Sequence, residues 1–117
     1  MNTETWDDLA TPAGTSSAEE VAQLVPDGTA VVKAFNTTFA PTLIAGEVAG
    51  QPLDVLIAGD DDAAKRKVAQ LVTDGGLRPL DVGPLRRARQ LEQLGFLHIS
   101  VQEPLDLGFG SAIKLHS

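Results

Sequence analysis

Apolar and polar residues alternate along this chain in blocks that predict an α/β sheet. Residues 53–59 form an apolar run that ends in glycine, as a buried strand does. Residues 60–74 then show helical spacing and stop at a pair of glycines, and residues 77–82 form a second strand. A strand, a helix and a strand in this order are typical of a sheet covered by helices.

The helix between these two strands has one predicted apolar face and one polar face. Its apolar residues fall at helical spacing and predict a single stripe, Ala64, Val68, Leu71 and Val72. The remaining side chains are predicted to point away from that stripe, namely Lys65, Arg66, Lys67 and Gln70. Aspartates at the start and basic residues further along suit the helix dipole.

The same patterns predict elements on both sides of this unit. A capping sequence at residues 16–20 opens a short helix whose apolar face contains Ala18, Val21, Ala22 and Val25. Further along, we predict a nearly continuous apolar strand at residues 30–35, of the kind found in buried parallel sheets, and a short helix at 42–48. A long helix begins at Leu85, with Gly95 marking close packing or its end, and a last strand occupies residues 112–115.

These elements predict one α/β domain at residues 15–117, preceded by an arm or loop at residues 1–14. The arm contains Trp6, which could anchor it to the domain or to another copy. Four short strands with helices on both faces form a three-layer sandwich. A helix, not a strand, precedes the first strand, so we interpret the chain as the later half of a larger, Rossmann-like sheet.

Composition excludes several classes of function. The formal net charge of −7 argues against nucleic acid or an anionic membrane as a partner. Cysteine is absent, so no disulfide, thiolate metal site or thiol nucleophile can form, and the two histidines are too few for a histidine-rich metal site. The polar, acidic first eight residues and the lack of a long apolar run favour a cytoplasmic protein.

The turn after residues 53–59 does not suit a nucleotide. A pyrophosphate needs free backbone N–H groups and the positive end of a helix dipole. Here the helix opens with Asp60, Asp61 and Asp62, which already complement the dipole and would repel an anion. A divalent cation site is the alternative, but carboxylates at this position more often cap a helix, so we predict no metal.

Asn36 and Thr37 are the candidate cofactor-binding residues. They follow the predicted strand at residues 30–35, and open α/β sheets bind ligands where strands end. An amide and a hydroxyl could hold a carboxamide or a ring carbonyl. The alternative is that both residues only shape the turn, and Phe35 is predicted to belong to the core.

Other polar residues carry weaker hypotheses. His98 could be a general acid or a cleft residue, although a single histidine in a helix is more often structural. Arg86, Arg87 and Arg89 could hold a phosphate tail, but a solvated helix face with an Arg89–Glu92 pair is the simpler interpretation. No catalytic residue can be assigned.

Several segments occur in the order and spacing of a known family. They are residues 31–39, 54–60, 83–85, 88–92 and 108–112. Together they resemble the C-terminal half of the NADPH-dependent coenzyme F420 reductases, also called F420-dependent NADP oxidoreductases. The resemblance covers nearly the whole chain, from about Thr5 onward. It implies a Rossmann fold in which hydride passes between NADP and a deazaflavin ring.

The sequence departs from that family by lacking the N-terminal half with its glycine-rich turn. The Gly108-Phe109-Gly110 segment is not such a turn, because Ile113 occupies the third glycine position and a predicted strand follows. The chain is a fragment, a truncated reading frame or a natural half-protein. Enzyme activity by this chain alone is therefore uncertain.

Two functions remain open from the sequence. In the first, the chain is the cofactor-cleft part of an NADP–deazaflavin oxidoreductase and is inactive without the other half. In the second, it is a non-catalytic α/β remnant or interaction module that associates with itself. Half a sheet leaves an open edge, so we predict a homodimer or higher oligomer formed through that edge. The electron acceptor stays open, since relatives of one fold reduce different acceptors, metals and flavins among them.

Overall fold

The computed structural model describes residues 14–116. Its helices are α1 (Ser17–Leu24), α2 (Ala40–Ala45), α3 (Asp62–Asp74) and α4 (Ala88–Ser100), and a 3-10 turn at Leu85–Arg87 leads into α4. Its strands are β1 (Val32–Lys33), β2 (Glu47–Val48), β3 (Gln51–Pro52), β4 (Asp54–Gly59) and β5 (Arg78–Gly83). The predicted arm with Trp6 lies outside the described residues, apart from Gly14.

The central sheet contains three strands in the order β1-β4-β5. β4 and β5 are parallel, with Asp54 opposite Arg78 and Leu56 opposite Leu80. All six residues of β4 are buried, which explains why its sequence is almost continuously apolar. The predicted strand–helix–strand unit is therefore confirmed.

Helices cover both faces of this sheet. On one face Val55 and Ile57 pack with Val72 of α3. On the other, Leu56 and Ala58 pack with Leu91 of α4. A smaller cluster joins α1 to the start of α4 through buried and partly buried apolar residues, Ala18, Ala22, Val31, Leu85 and Ala88. The α/β, Rossmann-like three-layer arrangement predicted from the sequence is confirmed.

The predicted starts of α1 and α3 are present, whereas α2 begins at Ala40 and α4 at Ala88, after a 3-10 turn at the predicted start Leu85. Ser16 caps α1 by accepting a hydrogen bond from Glu19 N, and Asp61 caps α3 by accepting from Ala64 N. These bonds satisfy backbone donors that have no partner inside the helix. Gly75 follows the last residue of α3, as the glycine pair predicted.

The strand predicted at residues 30–35 is shorter than expected and has the opposite direction. Only Val32 and Lys33 pair with β4, and the pairing is antiparallel, with Val32 opposite Gly59. The prediction failed because a run of apolar residues shows burial but carries no information about strand direction.

Two further elements differ from the prediction. The short helix is α2, which ends at Gly46, and a β2–β3 hairpin replaces its predicted last turn. Ala49 and Gly50, both at positive φ, form the two-residue turn of that hairpin. The strand predicted at residues 112–115 does not form, and that segment has no regular secondary structure.

The helix faces were only partly predicted. In α3, Leu71 is mostly exposed and Lys65 is buried, the reverse of what we expected. In α1, Val21 lies half in solvent. Helical spacing identifies a stripe but not its width, and the aliphatic stem of a lysine can fill an apolar gap.

Candidate functional site

The turn at residues 35–38 contains both candidate cofactor-binding residues. β1 is antiparallel to β4, so the chain leaves β1 towards the end of the sheet where β4 and β5 begin. Asn36 and Thr37 come three and four residues after the last residue of β1. They therefore lie at the opposite end of the sheet from the acidic turn that follows β4, at the edge where the parallel strands begin. The expectation that they lie at the carboxyl edge, where open α/β sheets bind ligands, was wrong because β1 is antiparallel to its neighbour.

Asn36 is held in one orientation by α4. Its side-chain Nδ2 donates a 2.6 Å hydrogen bond to the Leu91 carbonyl. This bond identifies the nitrogen, because a carbonyl can only accept. Gly95, one turn further along α4, makes the approach possible, since a Cβ there would lie 2.6 Å from Asn36 Nδ2 and 2.7 Å from Asn36 O. Gly95 thus marks close packing inside the helix, one of the two predicted alternatives.

The Asn36 amide oxygen is buried and has no hydrogen-bond partner within residues 14–116. Buried polar atoms are nearly always paired in folded proteins. The bond to Leu91 prevents the amide from turning over, so Oδ1 stays an open acceptor. The structure therefore presents an unused hydrogen-bond acceptor at a residue that the sequence identified as a candidate ligand.

Thr37 and His98 connect this turn to α4 and to the C-terminal segment. Thr37 is buried, and its carbonyl accepts a 3.1 Å bond from His98 Nδ1. The other ring nitrogen, Nε2, lies 2.9 Å from Ser111 Oγ, within hydrogen-bond distance. Both ring nitrogens are occupied within the protein, and this favours the structural role for His98 over that of a general acid.

Gln102 completes this polar cluster and was missed by the sequence analysis. Its Nε2 donates to the His98 carbonyl at 2.8 Å and to Ser111 Oγ at 2.9 Å. Its Oε1 accepts from Phe109 N at 3.0 Å. Residues 108–112 were noted only as one of the segments that resemble the family, and no role was given to Ser111. The cluster fixes the C-terminal segment to α4.

An apolar groove of about 870 Å³ lies beside the cluster. Phe39 stacks on His98 with ring centroids 4.4 Å apart, and Phe109 meets Phe39 edge-on at 5.2 Å. The groove is lined by both phenylalanines together with Ile99, Ser100, Gln102, Glu103 and Pro104. Its volume lies in the range of small-molecule sites.

Asp54 anchors the C-terminal segment at the same end of the sheet. Its carboxylate accepts from Lys114 Nζ and from Leu115 N, each at 2.8 Å, and lies 3.4 Å from Arg78 Nη1. Burial acts to raise the pKa of Asp54, but these hydrogen bonds and the two positive charges together hold the pKa below its ordinary value. The carboxylate is therefore a charged, fully paired structural group.

At the other end of the sheet, the carboxylates of the acidic turn are bound by groups of the protein itself. Asp60 accepts a 2.9 Å bond from Leu85 N, and Asp61 caps α3. These carboxylates occupy the position where a pyrophosphate would need free N–H donors, so the turn does not fit a dinucleotide phosphate. Within residues 14–116 no cluster of three or more His, Asp or Glu residues could hold a metal ion.

Lys65 is a buried charge at this closed end. Its Nζ lies 3.0 Å from Asp81 Oδ2 and 3.5 Å from Asp62 Oδ1, and it also donates to the Gly83 carbonyl. The hydrogen bond to Asp81 is the main cause that raises the pKa of Lys65, against the effect of burial. Lys65 therefore binds protein carboxylates, which leaves it unavailable to a ligand phosphate.

Arg89 of α4 also has a protein partner. Arg89 makes a bidentate pair with Glu19 of α1, at 2.7 and 2.9 Å. Glu92, the partner predicted for Arg89, instead accepts from Ser17 N and pairs with Lys33. The predicted Arg89–Glu92 pair is wrong because α1 brings Glu19 closer to Arg89 than the helix neighbour. The phosphate-tail hypothesis gains no support.

Within residues 14–116 no helix has both the length and the apolar character needed to cross a bilayer.

Comparison with known proteins connects this chain to oxidoreductases. No family model matches it. It is 44% identical over 79 residues to the metalloreductase STEAP3 of Rattus norvegicus, a match that covers 68% of this chain and 16% of that protein. A crystal structure from Arthrobacter sp. FB24, of a protein to which F420-dependent NADP reductase activity is attributed, superposes with a TM-score of 0.75 at 31% identity.

The superposition covers 85% of this chain and 45% of the Arthrobacter protein. The chain thus spans less than half of that protein and about a sixth of STEAP3. These findings confirm the resemblance to the C-terminal part of F420-dependent NADP reductases. They also show that the chain has the sequence and fold of an oxidoreductase region.

Proposed function

We propose that this chain is the C-terminal part of an NADP-dependent oxidoreductase that transfers hydride between NADP(H) and a deazaflavin of the F420 type. In this proposal the turn at residues 35–38 forms one wall of the cleft in which the two rings meet. The observation that carries it is the oriented Asn36 amide, whose oxygen is an unused acceptor.

Asn36 suits a ring that carries N–H groups. Leaving a buried acceptor unpaired costs about 1–3 kcal/mol, so a group that donates to it gains that free energy. A nicotinamide carboxamide and the pyrimidine ring of a deazaflavin both carry N–H donors. The oxygen is covered in this structure, so binding includes a small displacement of the atoms around it.

The residues of this chain are better suited to bind the rings of NADP and the deazaflavin than the NADP pyrophosphate. The acidic turn after β4 rejects a pyrophosphate, and the sequence contains no G-x-G-x-x-G segment. When bound, the deazaflavin supplies the ring carbon that exchanges hydride. Asn36 orients a ring edge, Thr37 and His98 hold the turn in place, and Asp54 fixes the segment that closes this end of the sheet. The pyrophosphate requires a glycine-rich turn on another part of the protein.

The proposal is tested with the purified 117-residue chain by calorimetric titration of the deazaflavin coenzyme and of NADPH. We expect measurable deazaflavin binding, poor NADPH binding and no hydride transfer by this chain alone. Asn36→Leu should weaken deazaflavin binding about 5- to 20-fold, the effect of one buried hydrogen bond. Gln70→Leu, on the exposed side of α3, is the matched control. Turnover by the chain alone would show that no separate phosphate-binding turn is needed.

A second candidate function is self-association without catalysis. Two observations favour it. β1 is an edge strand of the sheet, and several large apolar side chains are mostly exposed, among them Leu24, Ile44 and Leu71. Pairing of two β1 edges would cover such an edge, giving the homodimer or higher oligomer expected from the sequence. A constant monomer mass in light scattering over a hundredfold range of concentration would exclude this function.

A cytoplasmic location is part of the same proposal. Expression of the chain fused to a fluorescent reporter, followed by fractionation, tests it.

A further inference from the structure

The apolar groove at the end of α4 has the size of a small-molecule site, and the proposed hydride transfer makes no use of it. Its volume is about 870 Å³. Phe39 lines it from the segment before α2, and Phe109 lines it from the C-terminal segment. The other lining residues belong to the end of α4 and the turn that follows. Three separate parts of the chain therefore meet around one accessible space.

Two aromatic rings form one corner of this groove. Phe39 and Phe109 lie with ring centroids 5.2 Å apart and ring planes at 77°. Phe35, which the sequence assigned to the core, is instead 40% exposed and makes no ring–ring contact within residues 14–116. The face of an aromatic ring carries partial negative charge and attracts cations. The groove thus offers two such rings to one ligand.

Phe109 is held in position by the turn that carries it. Its φ is 59°, in the left-handed region that residues with a Cβ rarely adopt, and such strain persists only where the surrounding structure enforces it. Here the Phe109 N–H donates to Gln102 Oε1 at 3.0 Å, and the Gly110 N–H donates to the Leu107 carbonyl at 3.1 Å. The ring itself is 47% exposed. An aromatic ring fixed in this way binds a ligand at a lower entropy cost.

The charge around the groove is negative. Glu103 lines the groove, is exposed, and has no hydrogen bond or ion pair from its carboxylate within residues 14–116. The two stretches that supply every lining residue, 34–64 and 90–113, contain no lysine or arginine. Asp106 adds a second exposed carboxylate three residues after Glu103. The groove is therefore complementary to a ligand that is both apolar and positively charged.

We propose that this groove binds a small organic ammonium ion that carries an apolar arm. The ammonium group lies in the corner between Phe39 and Phe109, and Glu103 supplies the opposite charge. The arm lies along Ile99 and Pro104, which are apolar lining residues. Aromatic rings are a known means of recognising quaternary ammonium groups. This site goes beyond the proposed function, since hydride transfer requires no ammonium ligand.

The experiment compares two probes of the same shape that differ in charge. The (4-hydroxyphenyl)trimethylammonium ion carries the positive charge, and 4-tert-butylphenol replaces its nitrogen by carbon. Each is titrated into the purified, ¹⁵N-labelled 117-residue chain, and binding is followed by NMR. We expect the cation to bind more tightly than its neutral counterpart. The largest amide shifts should lie at residues 99–103 and at Phe109, and not at the acidic turn, residues 60–62.

Two variants separate the contributions of charge and ring. Glu103→Gln should weaken binding of the cation about 2- to 5-fold and leave the affinity for 4-tert-butylphenol unchanged. Glu20→Gln is its matched control, because it removes the same charge from an exposed position on α1. Phe109→Leu keeps an apolar side chain but removes the aromatic face. It should weaken binding of the cation about 2- to 5-fold, and that of the neutral probe less.

Three results would overturn this site. They are an affinity for 4-tert-butylphenol equal to or above that for the cation, shifts centred on residues 60–62, and equal cation affinities in Glu103→Gln and Glu20→Gln. Because Glu103 is exposed, its variant stays decisive even if Phe109→Leu fails to fold, which the NMR spectrum would reveal. Failure of this site leaves the proposed oxidoreductase function in place, since that function is tested by deazaflavin binding to Asn36.

Discussion

The two ends of the central sheet differ in whether all of their polar groups have hydrogen-bond partners. After β4, the carboxylates of Asp60 and Asp61 accept backbone N–H groups, and Lys65 is bound by Asp81 and Asp62. At the other end, the turn at residues 35–38 is equally well fixed but leaves Asn36 Oδ1 unpaired. The comparison teaches that a high density of charge does not mark the site here. The candidate site is marked by one unused acceptor in a rigid setting.

The largest expected effect comes from filling the space at Gly95. A Cβ there would lie 2.6 Å from Asn36 Nδ2 and 2.7 Å from Asn36 O. Since the second atom belongs to the backbone, the turn must move away from α4. Gly95→Ala should lower the free energy of unfolding by about 2–3 kcal/mol, measured by urea denaturation.

Gly75→Ala is the control for Gly95→Ala, because a Cβ at Gly75 meets only ordinary contacts at 3.5 and 3.6 Å. We expect it to change stability by less than about 0.5 kcal/mol. If Gly95→Ala were as stable as the parent, the contact between α4 and the turn would be looser than described. The description of the candidate site as rigid would then be wrong.

The next effect concerns the carboxylate that closes the candidate end. Asp54→Asn removes the charge that binds Lys114 and Arg78, and should lower the free energy of unfolding by about 2 kcal/mol. Asp27→Asn, on an exposed loop, is the control. A loss no greater than that of the control would show that the C-terminal segment is held without Asp54.

The same carboxylate predicts a pH dependence. The pKa of Asp54 is lowered in the folded chain, so its stabilising contribution is complete above the ordinary value of 3.8. It is lost as the pH falls through the lower folded pKa. Urea denaturation between pH 2 and 7 should therefore show a smaller acid-induced loss in Asp54→Asn than in the parent. If the stability of Asp54→Asn and that of the parent fell equally as the pH is lowered, this link between Asp54 protonation and stability would be wrong.

A smaller effect is expected for Ser111→Ala in the polar cluster. The change removes the hydroxyl that bonds to His98 and Gln102 and should lower the free energy of unfolding by about 1 kcal/mol. Hydrogen exchange at the amide of Phe109, which is bound by Gln102, should become faster. Ser100→Ala, at the last residue of α4, is the control. Equal exchange at the Phe109 amide in both variants would show that the polar cluster does not hold the C-terminal segment in place.

The smallest effect is expected at the closed end. Lys65→Met keeps the aliphatic stem of the buried side chain but removes its bonds to Asp81 and Asp62. The melting temperature should fall less than in Ser111→Ala, while Lys67→Met, exposed on the same helix, should change it even less. Since the pKa of Lys65 is raised in the folded chain, its contribution is present below the ordinary value of 10.5 and is lost as the pH rises through the folded pKa. Deazaflavin binding should be unchanged in Lys65→Met. A lower deazaflavin affinity in this variant would show that the acidic end of the sheet also contributes to binding.

Much of the fold was accessible from local patterns. Residues 54–59, 62–74 and 78–83 follow the predicted strand, helix and strand closely, and Ser16 and Asp61 are caps of the predicted kind. These features depend on neighbours within one or two turns of chain, so spacing and capping residues are enough to identify them.

The candidate site was predicted less completely. Asn36, Thr37 and His98 were identified, but Gln102 and Ser111 were not, and Phe35 was assigned to the core. Asn36 could be recognised as polar and well placed, but its open oxygen depends on Leu91, which is 55 residues away in sequence. The predicted metal-free, homo-oligomeric state and the limits of the domain stay predictions.

The amino-acid sequence by itself determined the alternation of strands and helices, the acidic character of the turn after β4 and the absence of a glycine-rich phosphate turn. The tertiary structure alone decided that β1 is antiparallel, that Lys65 is buried, and that Gly95 admits Asn36 against α4. The physical reason is the range of the interactions. Periodicity and capping act between near neighbours, whereas strand direction, close approach and an unpaired acceptor depend on residues that meet only after folding.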